Sequence, residues 1–304
     1  MDIENSKKNP AFNPATSKPE FDPQTAFSRT LGWLTEADQK KLANTHVGII
    51  GMGGVGGQYA EILARLGVGH FMICDPDSFG IENTNRQNEC KTSNYGRNKA
   101  EVIEELILDI NPTATVTVVR DRFAMKHVDV FCRSVDLYID SIDFFETDLR
   151  IAIFRRMREL GKPAFTIAPI GMGAASLVFQ PDGMSFDDYF GLHRTEDAIE
   201  RSLMFMVGLA PSFQHRHYIQ ERDRLDFANR KTPSTPMGVY ACAAVGATLV
   251  VKLILGRGRV YQAPWSVHYD AYQTQIVKKY VWCGYRNPFQ RLKLWIVRKM
   301  LSRR

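Results

Sequence analysis

A glycine-rich segment, residues 51–57, most strongly limits what this chain can fold into. It follows a short apolar run, His46–Ile50, that predicts a buried strand, and it precedes residues 59–66, whose periodicity predicts an amphipathic helix. Glycines at positions 51, 53 and 56 have the GxGxxG spacing, which lets phosphates approach backbone N–H groups at a helix N-terminus. The segment therefore predicts a nucleotide site, but it does not identify the nucleotide.

The elements after this turn alternate between strand and helix. Residues 70–74 predict a strand that ends at Asp75, close to the position expected of an acidic residue that binds ribose hydroxyls. Further strands are expected at residues 115–119, 135–139, 163–168 and 175–179, with helices over about 97–109 and 145–160. This alternation predicts an α/β fold with a doubly wound, mostly parallel Rossmann-like sheet.

Composition and periodicity divide the chain into five segments. Residues 1–25 lack an apolar run, so they predict a flexible N-terminal arm rather than a secretory signal. Residues 26–180 form the Rossmann-like domain, and the polar, irregular residues 181–236 are interpreted as an insertion that faces the substrate. Residues 237–284 return to the first domain through a buried helix at 239–255, and residues 285–304 predict a basic amphipathic helix.

Charge and cysteine content narrow the class of protein. The net charge of +6 comes from 39 basic and 33 acidic residues spread along the chain, which permits nucleic-acid binding without indicating it. The five cysteines are scattered and form no CxxC pair, which argues against a disulfide framework and against a cysteine-type zinc site. We therefore expect a cytoplasmic protein that holds no zinc.

The segment that follows the second strand narrows the prediction further. Residues 75–87 match D-x-D-x-[hydrophobic]-x-x-x-N-x-x-R-Q, and residues 96–99 match G-x-x-K. In these patterns and their order the chain resembles the ThiF/MoeB/HesA-type adenylyltransferases, the family that includes ubiquitin-activating enzymes. The resemblance covers residues 27–143 well and residues 163–256 more loosely. It implies an enzyme that uses ATP to convert a carboxylate into an acyl-adenylate, with release of pyrophosphate.

The resemblance also implies roles for individual residues. Nucleotidyl transfer must neutralise charge on a triphosphate, so cations and a metal ion are required. By resemblance Arg86 and Lys99 contact the ATP phosphates, and Asp143 binds Mg²⁺. The residues implied to line the rest of the ATP pocket are Gly51, Gly53, Gly54, Gly56, Asp75 and Asn83. Asp77 and Gln87 either join this pocket or shape its loop by hydrogen bonds to the backbone.

Arg29 resembles the N-terminal arginine that this family inserts into the ATP site of a partner subunit. If that role applies, the protein is a homodimer. The alternative is a solvated arginine before a helix.

Two departures from the family pattern bear on the reaction. Many relatives carry two CxxC pairs that bind zinc, and relatives that form a thioester or persulfide place a cysteine in the crossover. This chain has neither feature, since residues 181–236 contain no cysteine. These departures put a thioester step in doubt and leave the activation step unaffected.

Several partners and functions remain open. By resemblance the acceptor is the C-terminal carboxylate of a ubiquitin-like or sulfur-carrier protein, a ribosomally made peptide, or a carboxylate on modified tRNA, as in the related dehydratases. An NAD-dependent oxidoreductase would share the turn and Asp75 but gives no reason for Asn83, Arg86, Lys99 and Asp143. An inactive scaffold subunit would not need the intact phosphate-binding set.

Two further surface features allow more than one interpretation. The helix predicted at residues 289–304 can dock on its own domain or a partner, or it can contact an anionic membrane surface. The histidines of the insertion, His193, His215 and His217, are expected to be solvated loop residues.

Overall fold

The computed structural model describes residues 19–221, 224 and 233–301. Its eight strands are His46–Ile50 (β1), His70–Cys74 (β2), Thr115–Val119 (β3), Leu137–Asp140 (β4), Ala164–Ile170 (β5), Gly173–Phe179 (β6), Trp265–Asp270 (β7) and Gln275–Tyr280 (β8). They form one sheet in the order β3-β2-β1-β4-β5-β6-β7-β8. Strands β1 to β5 pair in parallel, and β6, β7 and β8 add antiparallel neighbours. The predicted α/β fold with a mostly parallel sheet is confirmed.

Ten α-helices accompany this sheet within the described residues: Pro23–Ala26 (α1), Glu36–Ala43 (α2), Gly54–Arg65 (α3), Lys99–Ile110 (α4), Val128–Ser134 (α5), Thr147–Glu159 (α6), Phe186–Phe190 (α7), Ala198–Leu209 (α8), Pro236–Leu255 (α9) and Pro288–Leu301 (α10). Two apolar cores lie on the two faces of the sheet. In β4, Leu137 and Ile139 join the core that contains α3 and α9, whereas Tyr138 joins the core that contains α6 and α8.

Three strand predictions match the structure to the residue. The bounds of β1, β2 and β3 are those expected from the sequence, because each is a short run of strand-forming side chains. Strand β4 begins two residues later than predicted, while β5 and β6 are extended at one end. Strands β7 and β8, in the segment 237–284, were not predicted at all.

Helix α9 is the apolar helix predicted at residues 239–255. Its length and mean hydropathy of 2.0 would suit a membrane span, and among the described residues it alone meets those criteria. However, it packs against α3, β5 and β6. Its Cys242, Ala243 and Val250 are fully buried, and a Cβ at Gly246 would lie 2.2 Å from the Tyr59 ring. It is therefore a core helix.

The insertion at residues 181–236 is less irregular than its polar composition predicts. It begins with α7 and α8, whose first turns are capped by the side chains of Ser185 and Asp197. Phe186 and Phe205 enter the core on the α6 face, where Phe186 stacks on Phe154. Residues 222–223 and 225–232 of the insertion lie outside the described residues.

The two predicted terminal segments are described only in part. Residues 1–18 of the N-terminal arm lie outside the described residues, and residues 23–26 form α1 with Asp22 as its N-cap. The predicted C-terminal helix corresponds to α10, and residues 302–304 lie outside the described residues.

Candidate active site

The glycine turn lies where the strand order of the sheet reverses. After β1 the chain adds β2 and β3 on one side, and it later returns to add β4 on the other side. In parallel sheets the crevice at such a point, outside the carboxyl ends of the strands, is where ligands bind. Because β1, β2 and β4 are parallel neighbours, the residues that follow each of them lie together at the carboxyl edge of the sheet.

Gly51 and Gly56 are required by the close approach of backbone at this edge. Gly51 has a φ of +94°, and a Cβ there would lie 2.1 Å from the carbonyl oxygen of Ser141, just beyond β4. A Cβ at Gly56 would lie 1.8 Å from the Gly51 oxygen. The turn is followed at once by α3, which begins at Gly54. The first N–H groups of a helix have no partner within the helix, so they are available to an anion.

Gly53 and Gly54 face the loop that carries the Arg86-Gln87 pair. A Cβ at Gly53 would lie 3.4 Å from Nε2 of Gln87, and one at Gly54 would lie 3.4 Å from the backbone oxygen of Arg86. Gln87 is buried, yet its Oε1 has no hydrogen-bond partner among the described residues. A buried amide oxygen without a donor is costly, so a ligand group that donates a hydrogen bond fits this position.

Asp75 is a buried carboxylate that accepts a hydrogen bond from the backbone of the glycine turn. Its Oδ2 accepts a hydrogen bond from the Met52 N–H at 2.6 Å, and its Oδ1 accepts one from the Asp77 N–H at 2.9 Å. Burial raises the pKa of Asp75 above its ordinary value, while the positive charge of Lys99 acts in the opposite direction. The two carboxylate oxygens keep lone pairs for a further donor, such as a ribose hydroxyl.

Lys99 brings a buried cation to the same edge. It is the first residue of α4, it is only 7% exposed, and its Nζ lies 3.4 Å from Oδ2 of Asp77. Buried lysines are rare unless they are paired. The carboxylate of Asp77 provides such a partner for Lys99, and the Asp75 carboxylate lies nearby.

Asn83 and Arg86 belong to the loop between β2 and α4. The buried Asn83 accepts a hydrogen bond from the Gly80 N–H through its Oδ1, at 3.1 Å. The half-buried Arg86 donates from one guanidinium nitrogen to the Glu82 carbonyl and to Asn85 Oδ1, at 3.0 and 2.9 Å. These contacts are local, so they position the loop, and within the described residues they leave the other guanidinium nitrogens available.

Asp143 lies three residues beyond the end of β4, in the loop that touches Gly51. Its side chain is exposed, and its Oδ1 accepts a hydrogen bond from the Phe145 N–H at 2.9 Å. The loop is held by Arg150, whose guanidinium donates to the Ile142 and Asp143 carbonyls and to Oδ2 of Asp140, the last at 2.7 Å.

The Asp140–Arg150 pair was not predicted from the sequence. Both side chains are at most 2% exposed, and the Arg150 guanidinium lies 4.4 Å from the centroid of the Phe205 ring. An arginine in a helix is usually solvated, so the position of Arg150 in α6 did not indicate burial. The one indication in the sequence was that two acidic residues, Asp140 and Asp143, lie three residues apart at the end of a strand.

Replacing Arg150 with leucine should destabilise the protein by about 3–5 kcal/mol, because it leaves the Asp140 carboxylate buried without its partner. Urea unfolding followed by circular dichroism would measure the loss. The matched control is Arg133→Leu, which removes an exposed i,i+4 pair with Asp129 and should change little. Equal unfolding midpoints for the two variants would contradict the structural role assigned to Arg150.

The residues at this edge fit a magnesium ion only together with a bound nucleotide. Within the described residues, no group of three or more His, Cys, Asp or Glu side chains is arranged to hold a metal ion. Mg²⁺ is commonly bound by one or two carboxylates plus substrate phosphates. Asp143, exposed beside the glycine turn, meets that requirement as a single carboxylate ligand.

Arg29 lies away from this edge in its own chain. Phe27, two residues earlier, packs against Gly67, just beyond the C-terminal end of α3. The glycine turn is at the opposite end of that helix, and twelve residues of α-helix span about 18 Å. The other predicted site residues are connected to the turn or its neighbouring loops, whereas the exposed Arg29 is not.

The insertion adds a polar cluster at the same edge of the sheet. Tyr218 donates to Oδ2 of Asp270 and accepts from the Met172 N–H, at 3.0 and 2.9 Å. His215 is half-buried beside His268, and burial lowers the pKa of His215 to about 4. The expectation of a solvated loop histidine is therefore wrong for His215, because the insertion folds back against β7.

The cysteines are poorly placed for catalysis. Cys74, Cys90, Cys132 and Cys242 are buried, and burial raises the pKa of the Cys74 and Cys132 thiols to about 11 and about 12. Cys283 is exposed but follows β8, near the Trp265 end of β7 and so at the opposite edge of the sheet. Thiols with raised pKa values are poor nucleophiles.

The sequence of this chain is similar to that of a known family and of curated proteins. The model of the ThiF family matches residues 27–288. Over 118 residues the chain is 42% identical to the tRNA threonylcarbamoyladenosine dehydratase of Escherichia coli K12, covering 38% of this chain and 44% of that protein. Over 143 residues it is 29% identical to the sulfur carrier protein ThiS adenylyltransferase of the same organism, covering 47% of this chain and 56% of that protein.

Solved structures share the fold at low sequence identity. A crystal structure of E. coli MccB with ATP superposes with a TM-score of 0.60 at 19% identity, covering 80% of this chain and 65% of that one. The chain spans about half the length of the curated relatives it matches. Since the family match extends over most of the described fold and includes every strand, the chain belongs to the ThiF family.

Proposed function

We propose that this protein uses ATP to adenylylate a carboxylate and releases pyrophosphate. The observation that carries the proposal is the buried Lys99 ammonium beside Asp75 and Asp77, next to the glycine turn. A site that only holds a dinucleotide has no need for this cation, whereas nucleotidyl transfer must neutralise charge on a triphosphate. Membership of the ThiF family supports the same conclusion and weakens the oxidoreductase alternative.

In the proposed reaction the protein positions reactants and stabilises charge. An acceptor carboxylate oxygen forms a bond to the α-phosphorus of ATP, and the bond from that phosphorus to pyrophosphate breaks. The backbone N–H groups at the start of α3, together with Lys99 and Arg86, would hold the phosphates. Asp143 would hold Mg²⁺, which supplies positive charge next to the phosphates when it is bound. No protein nucleophile is required.

The remaining predicted residues would bind or frame the nucleotide. Asp75 is suited to accept from a ribose hydroxyl, and Gln87 offers a buried amide oxygen that lacks a donor. Asn83 and Asp77 hold the connecting loop through their contacts with Gly80 and Lys99. Ser141, whose buried Oγ has no partner among the described residues, is a further candidate to contact the nucleotide.

The acceptor is proposed to be a carboxylate at the C-terminus of a sulfur-carrier or ubiquitin-like protein, or of a peptide. One relative is described as an adenylyltransferase of the sulfur carrier protein ThiS, and MccB has been crystallised with MccA. A modified tRNA is a second candidate, because the relative at 42% identity is a tRNA threonylcarbamoyladenosine dehydratase and this chain has a net charge of +6. A scaffold role is disfavoured by the intact phosphate-binding residues.

ATP–pyrophosphate exchange tests the reaction and the acceptor together. Exchange of labelled pyrophosphate into ATP should depend on adding one acceptor: a carrier protein, a peptide, or tRNA bearing threonylcarbamoyladenosine. The matched controls are the carrier or peptide with an amidated C-terminus and the tRNA without the modification. Asp143→Asn keeps the acceptor oxygen for Phe145 N–H but removes the charge, so it should lose exchange.

Two results would contradict the proposal. One is exchange that proceeds equally well in Asp143→Asn, which would remove Asp143 from the metal site. The other is NAD reduction by the protein with an alcohol or acid substrate, without any exchange.

A further inference from the structure

Helix α10 has an exposed apolar face that is not covered by the part of the chain that the structure describes. One side of the helix is fixed to the domain, since Gln290 and Lys293 donate to the carbonyls of Val207 and Pro211 at 3.4 and 2.6 Å. Arg298 is bound to Glu200 of α8 by a salt bridge with an Nε–Oε2 distance of 2.8 Å. The other side carries large exposed apolar residues: Phe289, Leu292, Trp295, Ile296 and Met300, which are 42–64% exposed.

These five residues form one stripe, which we term the α10 face. Positions 289, 292, 296 and 300 recur at helical spacing, and Trp295 lies beside them. Contiguous exposed apolar residues on this scale mark an interaction site in soluble proteins.

Basic residues accompany the α10 face, and acidic residues are absent from this part of the chain. From position 289 to position 304 the sequence has six basic residues and no acidic one. Of these, Arg291, Arg298 and Lys299 are exposed, and Arg298 is paired with Glu200. Nζ of Lys299 lies 4.8 Å from the centroid of the Trp295 ring. An apolar stripe accompanied by lysine and arginine is complementary to a surface whose negatively charged groups cover an apolar layer.

We infer that the α10 face docks this protein onto an anionic membrane surface. Phe, Leu and Trp would enter the boundary between headgroups and acyl chains, and the basic residues would contact anionic lipid headgroups. The described part of the helix has fourteen residues, about 21 Å, and its apolar stripe lies along one side only. Such a helix would lie in the plane of the membrane surface.

Charge argues for a lipid surface over a second copy of this chain. A symmetric contact between two α10 faces would bring Arg291 and Lys299 of one copy close to the same residues of the other. Like charges brought together at an interface oppose association, whereas anionic headgroups attract them.

Vesicle co-sedimentation of the full-length chain tests the inference. The protein should sediment with vesicles of phosphatidylcholine mixed with phosphatidylglycerol, and much less with phosphatidylcholine alone. Raising the salt concentration should weaken binding, because surface charges are screened. The double variant Leu292→Glu, Trp295→Glu should partition on the order of tenfold more weakly. Its matched control is Met125→Glu, Val130→Glu, which changes two equally exposed apolar residues elsewhere.

A second pair of variants separates the charge from the apolar stripe. Arg291→Glu, Lys299→Glu should lose binding to anionic vesicles, whereas the control Lys40→Glu, Lys41→Glu on α2 should keep it. Thermal melting of every variant shows whether the fold is retained.

The inference is overturned if the wild-type chain does not sediment with anionic vesicles. It is equally overturned if the α10 variants bind these vesicles as strongly as the control variants do. It is also overturned if sedimentation velocity shows a dimer that Leu292→Glu, Trp295→Glu converts to monomer, since the α10 face would then be a protein interface.

Discussion

Replacing Lys99 with alanine is expected to lower the rate of ATP–pyrophosphate exchange by a factor of about 10²–10³, because one preorganised charge at the triphosphate is removed. Lys99 is held at this position by the first turn of α4, where the Asn98 side chain caps the helix, and by the carboxylate of Asp77. A buried ammonium in a fixed position needs no reorganisation when negative charge develops beside it.

The matched control for this variant is Lys91→Ala. Lys91 lies in the same loop region, but its side chain is 60% exposed and forms a surface pair with Glu89. Its removal should leave exchange unchanged.

A purely structural role for Lys99 predicts a different result. In that case Lys99→Ala would lower the melting temperature, because Asp75 and Asp77 would lose their compensating charge, but exchange below the melting transition would remain. Measuring exchange rate, ATP affinity and melting temperature on the same preparation separates these outcomes. A variant that is less stable but exchanges at the wild-type rate would remove Lys99 from the proposed mechanism.

Mixing two inactive variants is expected to restore exchange if Arg29 acts on the ATP site of a partner subunit. Arg29 is remote from the glycine turn of its own chain, because about 18 Å of α3 separates the Gly67 region from that turn. Arg29→Ala alone should therefore lose exchange without loss of folding, since the side chain is exposed.

Complementation makes the subunit assignment testable. A heterodimer of Arg29→Ala and Lys99→Ala contains one site with both Lys99 and the partner's Arg29. Random mixing of subunits makes half of the dimers mixed, so about a quarter of wild-type exchange should return. The matched control is a mixture of Lys99→Ala with Asp143→Asn. Both residues are assigned to the site of their own chain, so every site in this mixture lacks one of them and exchange should not return.

Three results would contradict the partner-site role. They are full activity of Arg29→Ala, no recovery in the mixed sample after verified subunit exchange, and a monomer in sedimentation velocity at assay concentrations. Any of them would leave Arg29 as a solvated residue of the N-terminal segment.

Short-range patterns accounted for the first half of the fold and for most of the candidate site. The bounds of β1 and β2 follow from short apolar runs, and those of β3 follow from a run of threonine and valine. The glycine spacing required a turn with close backbone approach, and Gly51 and Gly56 meet backbone oxygens there. Asp75 and Lys99 lie where strand ends and helix starts of a doubly wound sheet place them.

The second half of the fold was harder to predict for a physical reason. Strand β7 pairs antiparallel with β6, nearly a hundred residues earlier in the chain. Among the described strands, β8 pairs only with β7, and it is exposed along most of its length. An edge strand with one solvated face carries a weak apolar pattern. Helices α7 and α8 depend on caps and on phenylalanine contacts across the core.

The sequence by itself determined the parallel αβ core, the glycine turn and the order of the residues around it, because sterics and periodicity act between near neighbours. Only the tertiary structure decided that Arg150 is buried against Asp140 and orders the Asp143 loop. It also decided that the segment before Arg29 packs at the end of α3 opposite the glycine turn, that His215 lies beside His268, and that α10 exposes its apolar stripe. Each of these depends on which distant segments meet, and that is settled by the packing of the whole chain.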